Sequence, residues 1–344
     1  MTGTSLRTHL DDWAGRDVGR QAVAETVVSL ARVAASLSEK IGRAGIDSDG
    51  AAIVGENADG DQQKALDVEA HELFTTALKA DPVREIWSEE EEGAIECRAD
   101  GEVIVAIDPL DGSSNIDTNL SVGTIFSILP APAADADKSV LPPGTSQLAA
   151  GFFIYGPATS LALTLREGVS IFTLDRKKED FIRTQKKLKI SERKPEYAIN
   201  ASNYRHWDEP IRAYIDDCIV GIHGPREENF NMRWIASLVA EAYRILMRGG
   251  IFLYPRDRRQ GYGSGRLRLV YEANPIALLM EQAGAAATDT VNRILEIQPT
   301  EIHQRTPFVF GSTRMVERVK NYHLDLSLDA GRQPLFGNRG LFRK

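Results

Sequence analysis

The segment Asp108-Pro109-Leu110-Asp111-Gly112-Ser113-Ser114-Asn115 holds the residue types best suited to chemistry. Two carboxylates three residues apart can converge on one divalent cation when Pro109 fixes φ and Gly112 permits a tight turn. Hard oxygen ligands of this kind suit Mg²⁺, and the Leu110 carbonyl between them could add another. The Gly112-Ser113-Ser114-Asn115 run then offers backbone N–H groups and hydroxyls, a small anion nest of the type that holds phosphate. Taken alone, the same residues also suit an ordinary strand-to-turn junction whose Asp and Gly satisfy local hydrogen bonds.

Other acids change that balance. Ser88-Glu89-Glu90-Glu91-Glu92 follows the apolar Ile86-Trp87. By itself such a run is more often a solvated face or a helix N-terminal turn. Asp61 and Asp67 fall at the start of a helical pattern, and Glu272 closes the alternating stretch Arg266-Leu-Arg-Leu-Val-Tyr271. Strands ending on acids and a helix beginning with them deliver carboxylates to the same sheet edge. Such a crowd repels itself and raises its own pKa values unless bound cations compensate it, so a site for several Mg²⁺ ions is expected.

The elements that must position these groups are legible in outline. Apolar residues at helical spacing predict a long helix from about Val18 to Ile41, and a second pattern runs through Leu66, Leu73, Phe74, Ala77 and Leu78. Val103-Ile-Val-Ala-Ile107 reads as a short buried strand. Strand-like runs follow at 122–129, 150–155, 159–165 and 169–174, with a solvent loop at 130–145 and a basic patch from Arg176 to Lys189. Beyond a boundary near residue 195 the pattern alternates: helix 208–218, helix 231–247, strand Ile251–Tyr254, loop 255–265, strand 266–272, helix 274–283, strand Pro307–Gly311 and helix 313–322. Strands interleaved with helices make the class α/β or α+β, in two domains, 1–195 and 196–344.

Composition narrows the function. The chain has 344 residues, 42% hydrophobic and 26% charged, enough for a large domain or two ordinary ones. With 41 basic and 49 acidic side chains the net charge is −8, which disfavours nucleic acid as a partner. Two cysteines, Cys97 and Cys218, lack zinc or redox-pair spacing, and no apolar run is long enough to span a membrane. A cytoplasmic protein with no membrane partner is expected.

Further segments carry a resemblance. Gly60-Asp61…Leu66-Asp67, Trp87-Ser-Glu-Glu90, Ile107-Asp-Pro-Leu-Asp-Gly-Ser-Ser-Asn-Ile-Asp117 and Val122-Gly-Thr-Ile-Phe126 come first. Gly249-Gly-Ile-Phe-Leu-Tyr-Pro255, Leu267-Arg-Leu-Val-Tyr-Glu-Ala-Asn-Pro275 and Pro299-Thr-Glu-Ile-His-Gln-Arg305 follow. Together, from about residue 20 to 322, they resemble a class I fructose-1,6-bisphosphatase of the lithium-sensitive, Mg²⁺-dependent sugar phosphatase superfamily. The resemblance implies a layered α-β-α-β-α sandwich that hydrolyses the 1-phosphate of fructose 1,6-bisphosphate, in gluconeogenesis or the Calvin cycle. It implies that Asp61, Glu89, Asp108, Asp111, Glu272 and the Leu110 carbonyl ligate two to three Mg²⁺ per subunit. Asp67 and Glu90 would be the acid–base pair, and Asp111, Gly112, Ser113 and Ser114 would meet the 1-phosphate. Asn200, Tyr254 and Arg266 match positions that hold the 6-phosphate and sugar. Arg233 resembles an arginine that reaches into a neighbouring subunit's site, which implies a homo-oligomer, a tetramer built from dimers. The family usually has Lys where Arg266 stands and Tyr where Trp234 stands. His303 reads as structural, since a metal mechanism has no task for it.

Sedoheptulose 1,7-bisphosphate, alone or as a second substrate, is the alternative, because a site for two terminal phosphates could accept one more hydroxylated carbon. An inositol-phosphate or nucleotide phosphatase shares only the metal core, and a silent cation-binding assembly protein would have no use for Asp67 and Glu90. Where AMP-inhibited relatives carry a hydroxyl-rich helix start, a Lys-Tyr pair and an arginine, this chain has Val18-Gly-Arg-Gln-Ala-Val-Ala-Glu-Thr26, Glu102-Val103 and Pro130-Ala-Pro-Ala-Ala-Asp135. No strong inhibition by AMP and no activation by dithiols is expected.

Overall fold

The computed structural model describes residues 3–44, 46, 52–56, 62–132 and 140–324. Seven helices lie in the described residues: α1 (Leu6–Ala14), α2 (Val18–Gly42), α3 (Ala65–Leu78), α4 (Glu209–Val220), α5 (Leu238–Arg248), α6 (Asn274–Gln282) and α7 (Thr313–Leu324). The strands are β1 (Ile53–Glu56), β2 (Gln62–Lys64), β3 (Val83–Ser88), β4 (Ile95–Glu96), β5 (Val103–Asp111), β6 (Val122–Pro130), β7 (Ala149–Tyr155), β8 (Thr159–Thr164), β9 (Val169–Asp175) and β10 (Asp180–Gln185). They continue with β11 (Glu196–Ala198), β12 (Asn231–Met232), β13 (Ile251–Tyr254), β14 (Leu267–Arg268), β15 (Ala286–Thr288), β16 (Arg305–Thr306) and β17 (Phe308–Gly311).

Eight strands form one sheet in the order β10-β9-β8-β7-β6-β5-β3-β4, and five form a second in the order β12-β11-β13-β17-β15. Side chains alternate across the large sheet, so each face gathers its own core. Val103, Val105, Ile107, Phe126 and Phe153 pack with Leu30, Leu37, Phe74 and other apolar residues of α1, α2 and α3. Ile125, Phe152 and Ile171 point the other way, onto Val239, Ile245, Ile276 and Leu279 of α5 and α6. Those two helices also pack on Phe252, Phe308 and Phe310 of the second sheet. Its outer residues, Ile251, Leu253 and Val309, meet Tyr214, Ile215, Met315 and Val319 of α4 and α7. The result is five layers, α-β-α-β-α.

Several elements differ from the sequence reading. Strand 103–107 runs on to Asp111, so both acids of the motif lie within β5 rather than after it. The basic patch forms β10, where Phe181 is buried and the surrounding charges hide the alternation. The helix expected at 231–247 starts only at Leu238, because Asn231–Met232 pair with β11 and Ser237 caps the helix. The strand expected at 266–272 stops at Arg268. Leu269–Ala273 form a wholly buried π-helical turn that runs into α6, and Glu272 projects from that turn. Alternation looked strand-like there because the turn is buried on every side and shows no polar face.

Candidate active site

Residues three apart on a regular strand face opposite sides of the sheet. β5 pairs with β6 as Asp108↔Ile125 and Asp111↔Gly123, three steps against two, so a bulge turns both carboxylates to one side. Pro109 lies inside the bulge, where it owes the ladder no N–H. Its carbonyl accepts the Thr124 hydroxyl at 2.8 Å, and that hydroxyl also lies 2.7 Å from the Tyr155 hydroxyl. The Asp108 carboxylate accepts the Leu110 N–H at 3.0 Å. Parallel pairing of β3 with β5, Ser88 beside Ile107, ends the two strands together, and Glu89 follows with its N–H on the Ile107 carbonyl at 3.1 Å.

The turn after β5 needs glycine. Gly112 has φ 79°, and Ser113–Asn115 wind into a single 3₁₀ turn behind it. Opposite Asp111, Gly123 lets α5 come close: a Cβ there would lie 2.7 Å from Val239 Cγ2 and 2.2 Å from the Phe153 carbonyl oxygen. That approach lets the Val239 N–H at the α5 N-terminus donate to Asp111 at 2.9 Å. The Asn115 amide holds the loop before α5 through the Ala236 carbonyl at 2.7 Å.

Asp108, Asp111 and Glu272 are all buried and bring carboxylate oxygens within 4.8 Å of one another. Glu272 reaches them because Val270 and Tyr271 of the π turn pack on Ile104 and Ala106 of β5. Arg268 is the cation beside them, with Nη2 3.2 Å from Glu89 Oε1, and its backbone N–H donates to Glu272 at 2.6 Å. Burial pushes Asp111 up to about 7 and Glu272 up to about 8, each raised further by Glu89. Asp108 is driven well above the carboxylate range by burial and then by Glu89, Asp111 and Glu272. One guanidinium does not balance four acids. Hard oxygen donors crowded in a dry site are a donor set that fits divalent cations.

Asp67 occupies the third position of α3, where its carboxylate accepts the Lys64 N–H at 2.8 Å. Burial raises it to about 6, against hydrogen bonds from Lys64 and Ser113 that lower it. The Glu90 N–H rests on the Ser88 hydroxyl at 3.3 Å. A cavity of about 460 Å³ brings together Asp67, Glu89, Glu90, Asp108, Leu110, Asp111, Gly112, Ser113, Ser114, Arg266 and Glu272, with Lys64 and Arg268. The last two escaped the sequence reading. Arg268 had a signal, since it alternates with Arg266 on the strand leading to Glu272 and so reaches the same end of the fold. Lys64, at the end of β2, had none.

Asn200 and Tyr254 lie in a small neighbouring depression with Arg259 and Tyr262, and Asn200 caps the turn that follows it. Arg259 and Arg266 both stack on Tyr262, with Cζ 4.0 and 4.6 Å from the ring centre. Tyr254 stacks on Trp234, ring centres 6.1 Å apart. Arg233 lines neither hollow; its side chain is 47% exposed and lies 3.5 Å from Glu196. Asp61 falls outside the described residues. His303 ties the Tyr271 hydroxyl to the Glu91 carbonyl, both at 2.9 Å, a bracing role. A larger hollow of about 720 Å³ beside the α4 N-terminus contains none of the acidic cluster.

Comparison with known proteins bears on both halves of the chain. Residues 8–186 match the family model of the fructose-1-6-bisphosphatase N-terminal domain, and residues 190–324 that of its C-terminal domain. A fructose-1,6-bisphosphatase class 1 of Methylorubrum extorquens is 53% identical over 342 residues, covering 99% of this chain and 98% of the relative. One from Rhizobium meliloti is 51% identical over 352 residues, covering 100% of both chains. The crystal structure of Leishmania major fructose-1,6-bisphosphatase in holo form superposes with a TM-score of 0.88 at 34% identity, covering 94% of this chain and 100% of that one.

Proposed function

Since the chain belongs to the class 1 fructose-1,6-bisphosphatase family and is a hydrolase of fructose 1,6-bisphosphate, we propose how its residues divide the work. The reaction is metal-dependent phosphate release in carbohydrate metabolism. The observation that carries the division is the meeting of three buried carboxylates beside the Gly112–Ser114 turn.

Asp108, Asp111, Glu272 and Glu89, with the Leu110 carbonyl, are the residues that would hold two to three Mg²⁺, joined by Asp61. Bound there, such ions supply Lewis acidity toward a phosphoryl oxygen and acidify the attacking water. The N–H groups and hydroxyls of Gly112, Ser113 and Ser114 hold the 1-phosphate in line with that water. Asp67 and Glu90 line the same cavity and take the water's proton; burial poises Asp67 near neutrality, where a base is most effective. Arg268 offsets part of the acidic charge. Arg266, Tyr254 and Asn200 receive the 6-phosphate and the sugar, and the exposed Arg233 adds a guanidinium across a subunit boundary in a tetramer of dimers. A cytoplasmic enzyme of gluconeogenesis or the Calvin cycle suits a chain whose described helices include none able to cross a membrane.

Initial rates of phosphate release from the purified protein test this directly. Fructose 1,6-bisphosphate is expected to react fastest, ahead of sedoheptulose 1,7-bisphosphate, an inositol phosphate and a nucleotide monophosphate, and only with Mg²⁺. Full activity in excess chelator would overturn the division of roles. For the shared site, Arg233→Ala subunits mixed with Asp111→Ala subunits should regain activity, because a hybrid interface contains one intact composite site. A fully active monomer in sedimentation analysis would refute that part.

A further inference from the structure

Across the α5 N-terminus from the acidic cluster lies a second group of buried charges that the roles above leave unused. Arg244 of α5 has a side chain 9% exposed, between Glu196 of β11 at 7% and Glu241 at 0%. Its Nη1 is 3.3 Å from Glu196 Oε2, while Nε and Nη2 lie 2.9 and 2.8 Å from Glu241 Oε2. Both ends of this chain lead outward. Glu196 Oε1 lies 3.5 Å from Arg233 Nε, and the Arg233 N–H is itself fixed to β11 through the Tyr197 carbonyl at 2.8 Å. Glu241 Oε1 accepts the Ile235 N–H at 2.8 Å. Ile235 begins the short loop whose Ala236 carbonyl takes Asn115 and which leads into α5, where the Val239 N–H meets Asp111.

Packing alone does not call for such a chain. Buried ion pairs are often no more stabilising than apolar residues of the same volume, because desolvation offsets the attraction. What they add is geometry. A planar guanidinium can hold two carboxylates in fixed directions at once, which a single ammonium cannot do. Here the two carboxylates lead to two parts of the proposed site: an exposed arginine and the backbone that orients a buried aspartate.

We propose that Arg244 is a positioning residue for the reaction, orienting Arg233 through Glu196 and seating the α5 entry on Asp111 and Asn115 through Glu241. One buried side chain thereby sets both sugar-phosphate binding and cation binding. The inference rests on the roles given above to Arg233 and Asp111.

The test uses the full-length enzyme with three readouts: KM for fructose 1,6-bisphosphate, kcat, and the Mg²⁺ midpoint of a thermal-shift titration without substrate. Loss of a supporting partner typically costs about 10–100-fold, so Arg244→Lys is expected to raise both KM and the Mg²⁺ midpoint roughly tenfold or more. Arg233→Ala and Glu196→Gln are expected to raise KM alone. In the Arg233→Ala background, Arg244→Lys should add nothing to KM yet move the Mg²⁺ midpoint as before. A lowered melting temperature with KM and midpoint unchanged would overturn the proposal, as would a full KM effect in the Arg233→Ala background. If Arg244→Lys does not fold, Glu196→Gln decides, since its amide still accepts from Arg244; an unchanged KM refutes the link. If Arg233→Ala itself leaves KM unchanged, the role of Arg233 fails instead, and the chain stands or falls on the Mg²⁺ midpoint of Arg244→Lys.

Discussion

Two clusters of carboxylates flank the N-terminus of α5, and they are balanced differently. On one side two carboxylates, Glu196 and Glu241, face two guanidiniums, Arg233 and Arg244. On the other, Asp108, Asp111, Glu272 and Glu89 share Arg268. Burial alone raises the pKa of a carboxylate in both, and in Glu241 the Arg244 guanidinium works against it. In Asp108 the neighbours are other acids and add to the rise. Unequal compensation of buried carboxylates distinguishes a scaffold from a site: the protein completes its own charge in the first and leaves room for cations in the second.

The largest effect expected from breaking this contrast is on turnover. Asp111→Ala should lower kcat by about 10³-fold or more while the protein stays folded, since cation chemistry supplies several kcal/mol of transition-state stabilisation. Retained activity would place the ligands elsewhere. A smaller loss, about 10²-fold in kcat at the lower end of what proton transfer usually contributes, is expected for Glu90→Gln on the acid–base role proposed above. Its Mg²⁺ midpoint should not move; a loss confined to KM would make Glu90 a binding residue.

The uncompensated cluster also predicts how stability depends on pH. Asp67, Asp111 and Glu272 rise from 3.8, 3.8 and 4.5 to about 6, 7 and 8 on folding. Between about pH 4 and 8 the folded protein therefore binds more protons than the unfolded chain. The cost of ionising these groups is absent below their unfolded pKa values and grows as pH rises through the folded ones. Chelator-treated protein should lose melting temperature from pH 5 to 8, and saturating Mg²⁺ should cancel most of the slope. Glu272→Gln should flatten it without metal, and a slope of opposite sign would show that the cluster is already compensated. The smallest effect concerns AMP. Titration at saturating Mg²⁺ should give no cooperative inhibition, because on the family resemblance Glu102 falls where AMP-inhibited relatives carry a lysine; inhibition at micromolar AMP would mean that other residues have rebuilt such a site.

Much of the fold was legible because its signals are local. The α2 period, the apolar strands β5 to β9 and the Asp-Pro-Leu-Asp-Gly-Ser-Ser turn all appear within short windows. The π turn of Leu269–Ala273 was not, since complete burial erases the polar face by which a helix is recognised. The loop before α5 was misread as helix because Met232, Trp234 and Ile235 continue an apolar pattern. Pairing of β12 with β11 and the left-handed Ala236, at φ 61°, interrupt it.

By itself the sequence determined which chemistry was on offer: oxygen ligands and a phosphate nest follow from residue types and spacing within a few residues, whereas the pairing of Asp67 with Glu90 came only with the family resemblance. Tertiary structure decided how they combine. The bulge that turns Asp108 and Asp111 to one side depends on pairing with β6. The N–H that orients Asp111 comes from a residue 128 positions away, and the anchor of Asn115 from one 121 positions away. The Glu196–Arg244–Glu241 chain joins residues that no local window relates. Spacing dictates what neighbours along the chain can do together, whereas charge balance in a buried site is a sum over everything packed around it, and that sum exists only once the layers close.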